Sequence, residues 1–245
     1  MQFRVFPASG GERGRRGLQM RTSTLAVAVL VAALAAGQAQ ASIITWDPVV
    51  TISQTLGDDD LVGGGAILLA LNIGEDPAGA FASISVTNST ETITFSADRT
   101  VMPSNHNSSC YSLPTGDADM DKVLDSHGWL TGGIGTTHPI TISGLTVGTE
   151  YYVQFICAAD DRGSSKDRTQ TVQDDQATPN VSGAMVRGGV DSVIGTFTAT
   201  ATSETITLAG DKDPGLSMVL VRVVPEPATL ALLGVGVLGL LRRRK

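Results

Sequence analysis

Four aspartates crowd into the stretch DADMDKVLD: Asp117, Asp119, Asp121 and Asp125. Carboxylates at alternating positions are how a calcium loop surrounds a hard cation that prefers oxygen. An EF-hand loop also needs Gly at its sixth position for the sharp turn and a bidentate Glu at its twelfth. Lys122 and Gly128 stand there instead. An EF-hand or dockerin loop is therefore excluded, and two readings stay open: a looser calcium site, or a solvated acidic loop. A second group lies in AADDRGSSKDR, where Asp160, Asp161, Arg162, Asp167 and Arg168 follow an apolar run. Carboxylates accept hydrogen bonds from sugar hydroxyls and guanidinium forks donate to them, so Asp160, Arg162 and Arg168 are candidate carbohydrate ligands. The competing reading is an Asp–Arg lattice that closes the loop on itself. Asp160 and Asp161 do not make a glycosidase pair, since neighbours on a strand point to opposite faces.

The remaining chemistry is sparse. His106, His127 and His138 show neither H-x-x-x-H nor H-E-x-x-H spacing, so no zinc site is indicated. No G-x-S-x-G or comparable nucleophile motif occurs. Trp129, beside His127, is a candidate stacking platform for a sugar, but aromatics are only 4% of the chain and core packing competes for it. Cys110 and Cys157 both fall in the part expected to be exported, where a disulfide is permitted; two free thiols are the alternative. No cofactor is expected beyond that calcium reading. The chain is expected not to be an enzyme, with an unrecognised polysaccharide hydrolase as the catalytic alternative.

These groups must be carried by strands. ASISVTN alternates Ala82, Ile84 and Val86 against Ser83, Ser85 and Thr87, and ETITFSA continues the pattern through Ile93 and Phe95. EYYVQFIC places Tyr151, Val153, Phe155 and Cys157 on one face, and VIGTFTATA does the same with Val193, Gly195, Phe197, Ala199 and Ala201. Period-two alternation rich in Thr, Val and Ile, broken by Gly, Asn and Asp, predicts half-buried strands. The runs ETITLAG and LSMVLVRV close the series, and only DADMDKVLDSHGWL suggests a short helix. The expected fold is an all-β sandwich.

The two ends speak of transport. Arg21 precedes TSTLAVAVLVAALAAG, and Ala39-Gln40-Ala41 offers small residues where a signal peptidase reads. Residues 1–41 are thus expected to be a signal peptide cut before Ser42, with Met20 as an alternative start that leaves out residues 1–19. At the other end, Pro225-Glu226-Pro227 leads into an uncharged run from Ala228 to Leu241, which stops at Arg242, Arg243, Arg244 and Lys245. A spanning helix needs about 20 apolar residues, so this short apolar helix is a marginal anchor. The cations after it hold that end on the cytoplasmic side. Between the ends, residues 42–224 keep 8 of the 17 basic and 22 of the 24 acidic residues, a net charge of −14. Nucleic acid needs a cationic partner and is excluded on that ground.

Two resemblances follow from these residues. VPEPATLALLGVGVLGLLRRRK resembles the PEP-CTERM sorting signal of exopolysaccharide-producing bacteria, with its three parts in order. The resemblance implies handling by an exosortase-type membrane protease, with cleavage near Pro225-Glu226-Pro227 and only transient contact with the membrane. An uncleaved C-terminal anchor is the alternative. ISGLTVGTEYYVQFICAADDR and GVDSVIGTFTATATSETITLAG are similar to the second half of jelly-roll, galactose-binding-like domains of exported bacterial proteins. That implies a jelly-roll β-sandwich over residues 42–224 and a loop that can meet extracellular polysaccharide. The expected function is that of an exported, non-catalytic surface or matrix protein, either carbohydrate-binding or purely structural. A fibronectin type III module also suits Leu145, Gly148, Thr149 and Tyr151, but is too short for this body.

Overall fold

The computed structural model describes residues 41–52, 60–74, 83–103, 105–112 and 114–225. The signal-peptide stretch before Ala41 and the segment from Glu226 onward lie outside the described residues. Among the described residues no helix is long and apolar enough to cross a membrane. Two β-sheets face each other. The larger runs β1 (Thr45–Trp46), β12 (Asp191–Thr198), β9 (Glu150–Cys157), β14 (Gly215–Val223), β3 (Ile67–Asn72), β5 (Thr92–Ala97), β4 (Ile84–Thr87). Three short strands flank it: β2 (Val50–Thr51) on β12, and β6 (Asn105–Asn107) on β7 (His127–Trp129), which itself pairs with β14. The smaller sheet is β11 (Met185–Val186), β10 (Thr169–Asp174), β13 (Ser203–Gly210), β8 (Thr136–Ser143). From β8 onward the chain passes back and forth between the sheets, so β13 lies between β8 and β10, and β9 between β12 and β14.

The predicted alternation sets this packing. Ile84 and Val86 are buried while Ser85 and Thr87 face out, and Ile93 and Phe95 repeat the pattern on β5. Val153, Phe155 and Cys157 of β9 join Val219 and Val221 of β14 in a core against Ile140, Ile142, Val172, Ile206 and Leu208 of the smaller sheet. The central strands are buried on both faces. Ile156, Met218 and Leu220 point the other way, into a second core closed by Ile84, Val86, Ile93, Phe95 and the helix Ala118–Leu124. The structure therefore adds a layer to the expected two-sheet sandwich, and β14 is buried along nearly its whole length.

The corner that enters β9 has a clear local cause. In Thr146-Val147-Gly148-Thr149 the Thr149 amide donates to Thr146 O, and Gly148 sits at φ 84°, as a type II turn requires at its third position. Tyr151, buried and stacked on Phe197, accepts a hydrogen bond at its hydroxyl from the Thr146 amide, which pins the turn to the core.

Candidate functional site

The loop after β9 carries most of the predicted ligands, and it spends several on itself. Asp160 is only 3% exposed at the end of the strand. Arg162 folds back onto it, with Nε 2.9 Å from Oδ1 and Nη2 3.1 Å from Oδ2. Burial pushes the Asp160 carboxyl up, but the fork from Arg162 outweighs it and holds the acid below its ordinary range. Asp161 accepts from both the amide and the hydroxyl of Ser112. The Asp–Arg lattice, the competing reading of this loop, describes this pair. Arg168 is different. Its Nη1 meets Asp213 Oδ2 at 2.9 Å, while Asp213 Oδ1 accepts from the Gly132 amide at 2.7 Å. Asp213 thereby ties the end of the β9–β10 loop to the β7–β8 and β13–β14 turns.

These segments enclose an open hollow of about 470 Å³, lined by Gly133, Ile134, Ser164, Asp167, Arg168, Asp211 and Lys212. Of the residues singled out for ligand binding, Arg168 alone borders it. Trp129 lies elsewhere, half-buried on β7 between Asn105 and Gly215, with its ring 5.3 Å from His127. Asp211, Lys212 and Ile134 were not marked by the sequence, because a turn of mixed charge reads as an ordinary solvated loop until topology sets it beside another. Ile134 is 94% exposed at the rim.

The four aspartates of DADMDKVLD do not converge. Asp117 caps the helix Ala118–Leu124, its side chain accepting from the Asp119 and Met120 amides. Asp121 turns to Thr115, Asp125 accepts from the Tyr111 amide, and Asp119 pairs with Lys122. Among the described residues no group of three or more His, Cys, Asp or Glu is placed to hold a metal ion. The spacing that suggested calcium is the spacing of a helix cap followed by one helical turn.

The cysteines take the second of their two open readings, free thiols. Cys110 and Cys157 are both free and buried rather than bridged. Cys110 Sγ donates to Ser108 O and Cys157 Sγ to Val186 O. Burial pushes both thiols up to about 12. Since the thiolate is the nucleophile, native protein at pH 8 is expected to resist iodoacetamide at both positions, and unfolded protein to take label at both. Intact mass after alkylation reads the result. Prompt labelling of native protein, or resistance that survives denaturation without reductant, would contradict the structure.

A family match fits the C-terminal reading: residues 223–245 correspond to the PEP-CTERM protein-sorting motif. Among curated proteins nothing matches the chain. Among solved structures it is similar to the ANXUR1 extracellular domain from Arabidopsis thaliana, at 10% identity and TM-score 0.35, over 64% of this chain and 48% of that one. The ANX2 ectodomain from the same plant aligns at 9% identity and TM-score 0.36, over 65% and 50%. The Macrobrachium rosenbergii nodavirus P-domain aligns at 14% identity and TM-score 0.26, over 49% and 91%. The chain thus spans about half the length of the two plant ectodomains. The sorting motif directs an exported protein toward the cell surface by way of an exosortase-type protease.

Proposed function

We propose that this chain is an exported, non-catalytic protein of the cell surface or extracellular matrix, with a jelly-roll body that holds carbohydrate weakly. The observation that carries the reading is the sorting motif over residues 223–245. Signal peptidase releases the body after Ala41, and an exosortase-type protease acts near Pro225-Glu226-Pro227 once the apolar run has paused in the membrane. The hydrogen bonding of the body supports these limits. At one limit the Ser42 amide donates to Glu204, although Gln176 Nε2 also donates to Ala41 O just before it; at the other the Val224 amide donates to Glu150 O. The passage of the chain between sheets from β8 to β14 supports the jelly-roll assignment.

Extracellular polysaccharide is the ligand class, and the hollow beside Arg168 is the place. Asp167, Asp211, Ser164, Arg168 and Lys212 offer acceptors and donors around an exposed Ile134. No aromatic ring lines the hollow, so affinity is expected to be low, on the order of millimolar, about 4 kcal/mol. Titration with the host's own exopolysaccharide tests this, comparing the parent with Lys212→Ala and Asp211→Ala. Lys212→Ala should melt like the parent, and Asp211→Ala, which loses the bond from the Thr169 amide, slightly below it, while both bind several-fold more weakly. An absence of binding by the parent favours the second reading, a purely structural matrix protein. The mutual pairing of Asp160 with Arg162 and of Arg168 with Asp213 is what speaks for it. Mass spectrometry of the native surface protein tests the sorting step: a peptide containing Arg242 would refute it.

A further inference from the structure

Glu204 poses a problem that the fold does not solve by itself. It sits on β13 in the buried register of Ile206 and Leu208, and is 2% exposed. Among the described residues it forms no ion pair with Lys or Arg. Its Oε2 accepts one hydrogen bond, at 2.8 Å, from the backbone amide of Ser42, and its Oε1 has no partner. A buried carboxylate served by a single neutral donor is costly, because desolvation strips its water and nothing offsets its charge. Ser42 is itself fully buried, with its hydroxyl accepting from the Thr200 amide. The strained economy of this site disappears if the nitrogen facing Glu204 is not an amide.

The geometry points to Glu204 as the receptor for the new N-terminus: cleavage of the Ala41–Ser42 bond turns the Ser42 nitrogen into an ammonium that pairs with the buried carboxylate and locks the processed fold. The inference rests on the signal-peptide reading above. In the step itself the Ala41 C–Ser42 N bond breaks and one water is consumed. Its hydroxyl goes to the Ala41 carbonyl carbon and its proton to the Ser42 nitrogen. At neutral pH the new acid then loses its proton and the new amine gains one, leaving a carboxylate on the departing peptide and an ammonium on Ser42. The nitrogen already lies 2.8 Å from Oε2, so cleavage needs only to release the Ala41 carbonyl from Gln176 Nε2. An ammonium carries three donors where the amide had one, which supplies the partner that Oε1 lacks. An open hollow lined by Ala41, Ile43, Thr198 and Thr200 lies beside this bond on its Ala41 side, while Ser42 and Glu204 themselves stay buried. The pair would make the mature body more stable than its precursor, so that folding is completed only after export.

The test uses the full chain, exported and processed by a bacterial host, with N-terminal sequencing of the product as the first measurement. Three proteins are compared: the parent, Glu204→Gln, and a variant with Ser-Gly inserted after Ala41, which keeps the cleavage site but carries the amine about 7 Å along the chain. With Ser42 first, its amine is expected to react with an acylating reagent at pH 7 at least tenfold more slowly in native parent than in urea. In the insertion variant the amine should react at the unfolded rate, and both variants should melt about 5 °C or more below the parent. A Ser42 amine that reacts equally fast in native and unfolded parent overturns the pairing while leaving export intact. Protection that persists unchanged in Glu204→Gln, with an unchanged melt, also overturns it. A first residue other than Ser42 overturns the signal-peptide reading and the proposal with it. If Glu204→Gln fails to fold, the insertion variant decides: a melt and an amine reactivity equal to the parent's refute the pairing.

Discussion

An Arg222→Ala protein is expected to melt about 6–12 °C below the parent, a loss of about 3 kcal/mol. Arg222 lies one residue before the sorting motif begins, on the last strand, and is 2% exposed. Its guanidinium meets Glu91 through both oxygens, at 2.5 Å and 2.7 Å. Its remaining contacts are to backbone carbonyls: Val62 O at 3.1 Å, Gly65 O at 3.2 Å and Gly64 O at 3.3 Å. A guanidinium has five N–H donors, and five acceptors surround this one. The hydrogen bonds from Arg222 hold the Glu91 carboxyl below its ordinary range, against the opposing effect of burial. Truncation removes all five bonds together and leaves a void where the buried guanidinium sat, and it unfastens the segment around residues 62–65 from the strand on which the body ends. Arg222→Lys should recover only part of the loss, because a point charge cannot reproduce the fork. Thermal melts of Arg222→Ala, Glu91→Ala and the double variant measure the coupling. A single-variant shift under about 2 °C, or strict additivity, would mean that the pair contributes little.

Much of the architecture could be read from side-chain period, and the exceptions have physical causes. EYYVQFIC and VIGTFTATA gave the inward faces of β9 and β12 correctly, since alternation fixes which residues share a face. The burial of the opposite face of β9 was hidden, because Gln154 and Tyr152 read as polar, outward positions. Gln154 is fully buried, and its amide serves the Val62 amide, Asp60 O and Ser192 Oγ. Only the fold supplies those partners, from two distant segments. The same limit explains the candidate site. Asp160, Arg162, Asp117 and Asp125 were conspicuous as charges, yet each is consumed by a partner that alternation cannot name. Asp211 and Lys212 were inconspicuous, yet topology brings their turn beside Arg168. Charge density in a sequence locates loops; whether a loop is sated or open depends on what packs against it.

The second large effect concerns acid. Between pH 6.5 and 4.5 the protein is expected to lose about 2–3 kcal/mol of stability through His127 alone, a fall in melting temperature of roughly 5–10 °C. His127 is 1% exposed on β7 and its Nδ1 has no partner. Burial, first, and then the charge of Arg187 push the imidazole down to about 3; Asp160 pulls against them, Arg162 adds a lesser push, and the hydrogen bond with the Ala159 backbone opposes least. The folded protein thus keeps the ring neutral where the unfolded chain, with an ordinary value near 6.5, takes up a proton. A depressed value in the folded state means stability that is complete above about pH 6.5 and drains away as pH falls toward 3. Each pH unit within that window removes about 1.4 kcal/mol. The carboxylates held low, Glu91 and Asp160, act on stability only below their ordinary values of 4.5 and 3.8, so they do not account for a loss at pH 5 to 6. His127→Gln removes the titration while keeping a neutral polar side chain of similar reach. Its melting temperature should be nearly flat from pH 6.5 to 4.5, whatever its starting value, while the parent's falls. Equal slopes for the two proteins would show that His127 is not the proton-sensitive group. Should the variant not fold, NMR titration of the parent's imidazole decides instead, and a midpoint near 6.5 in the native protein would refute the assignment.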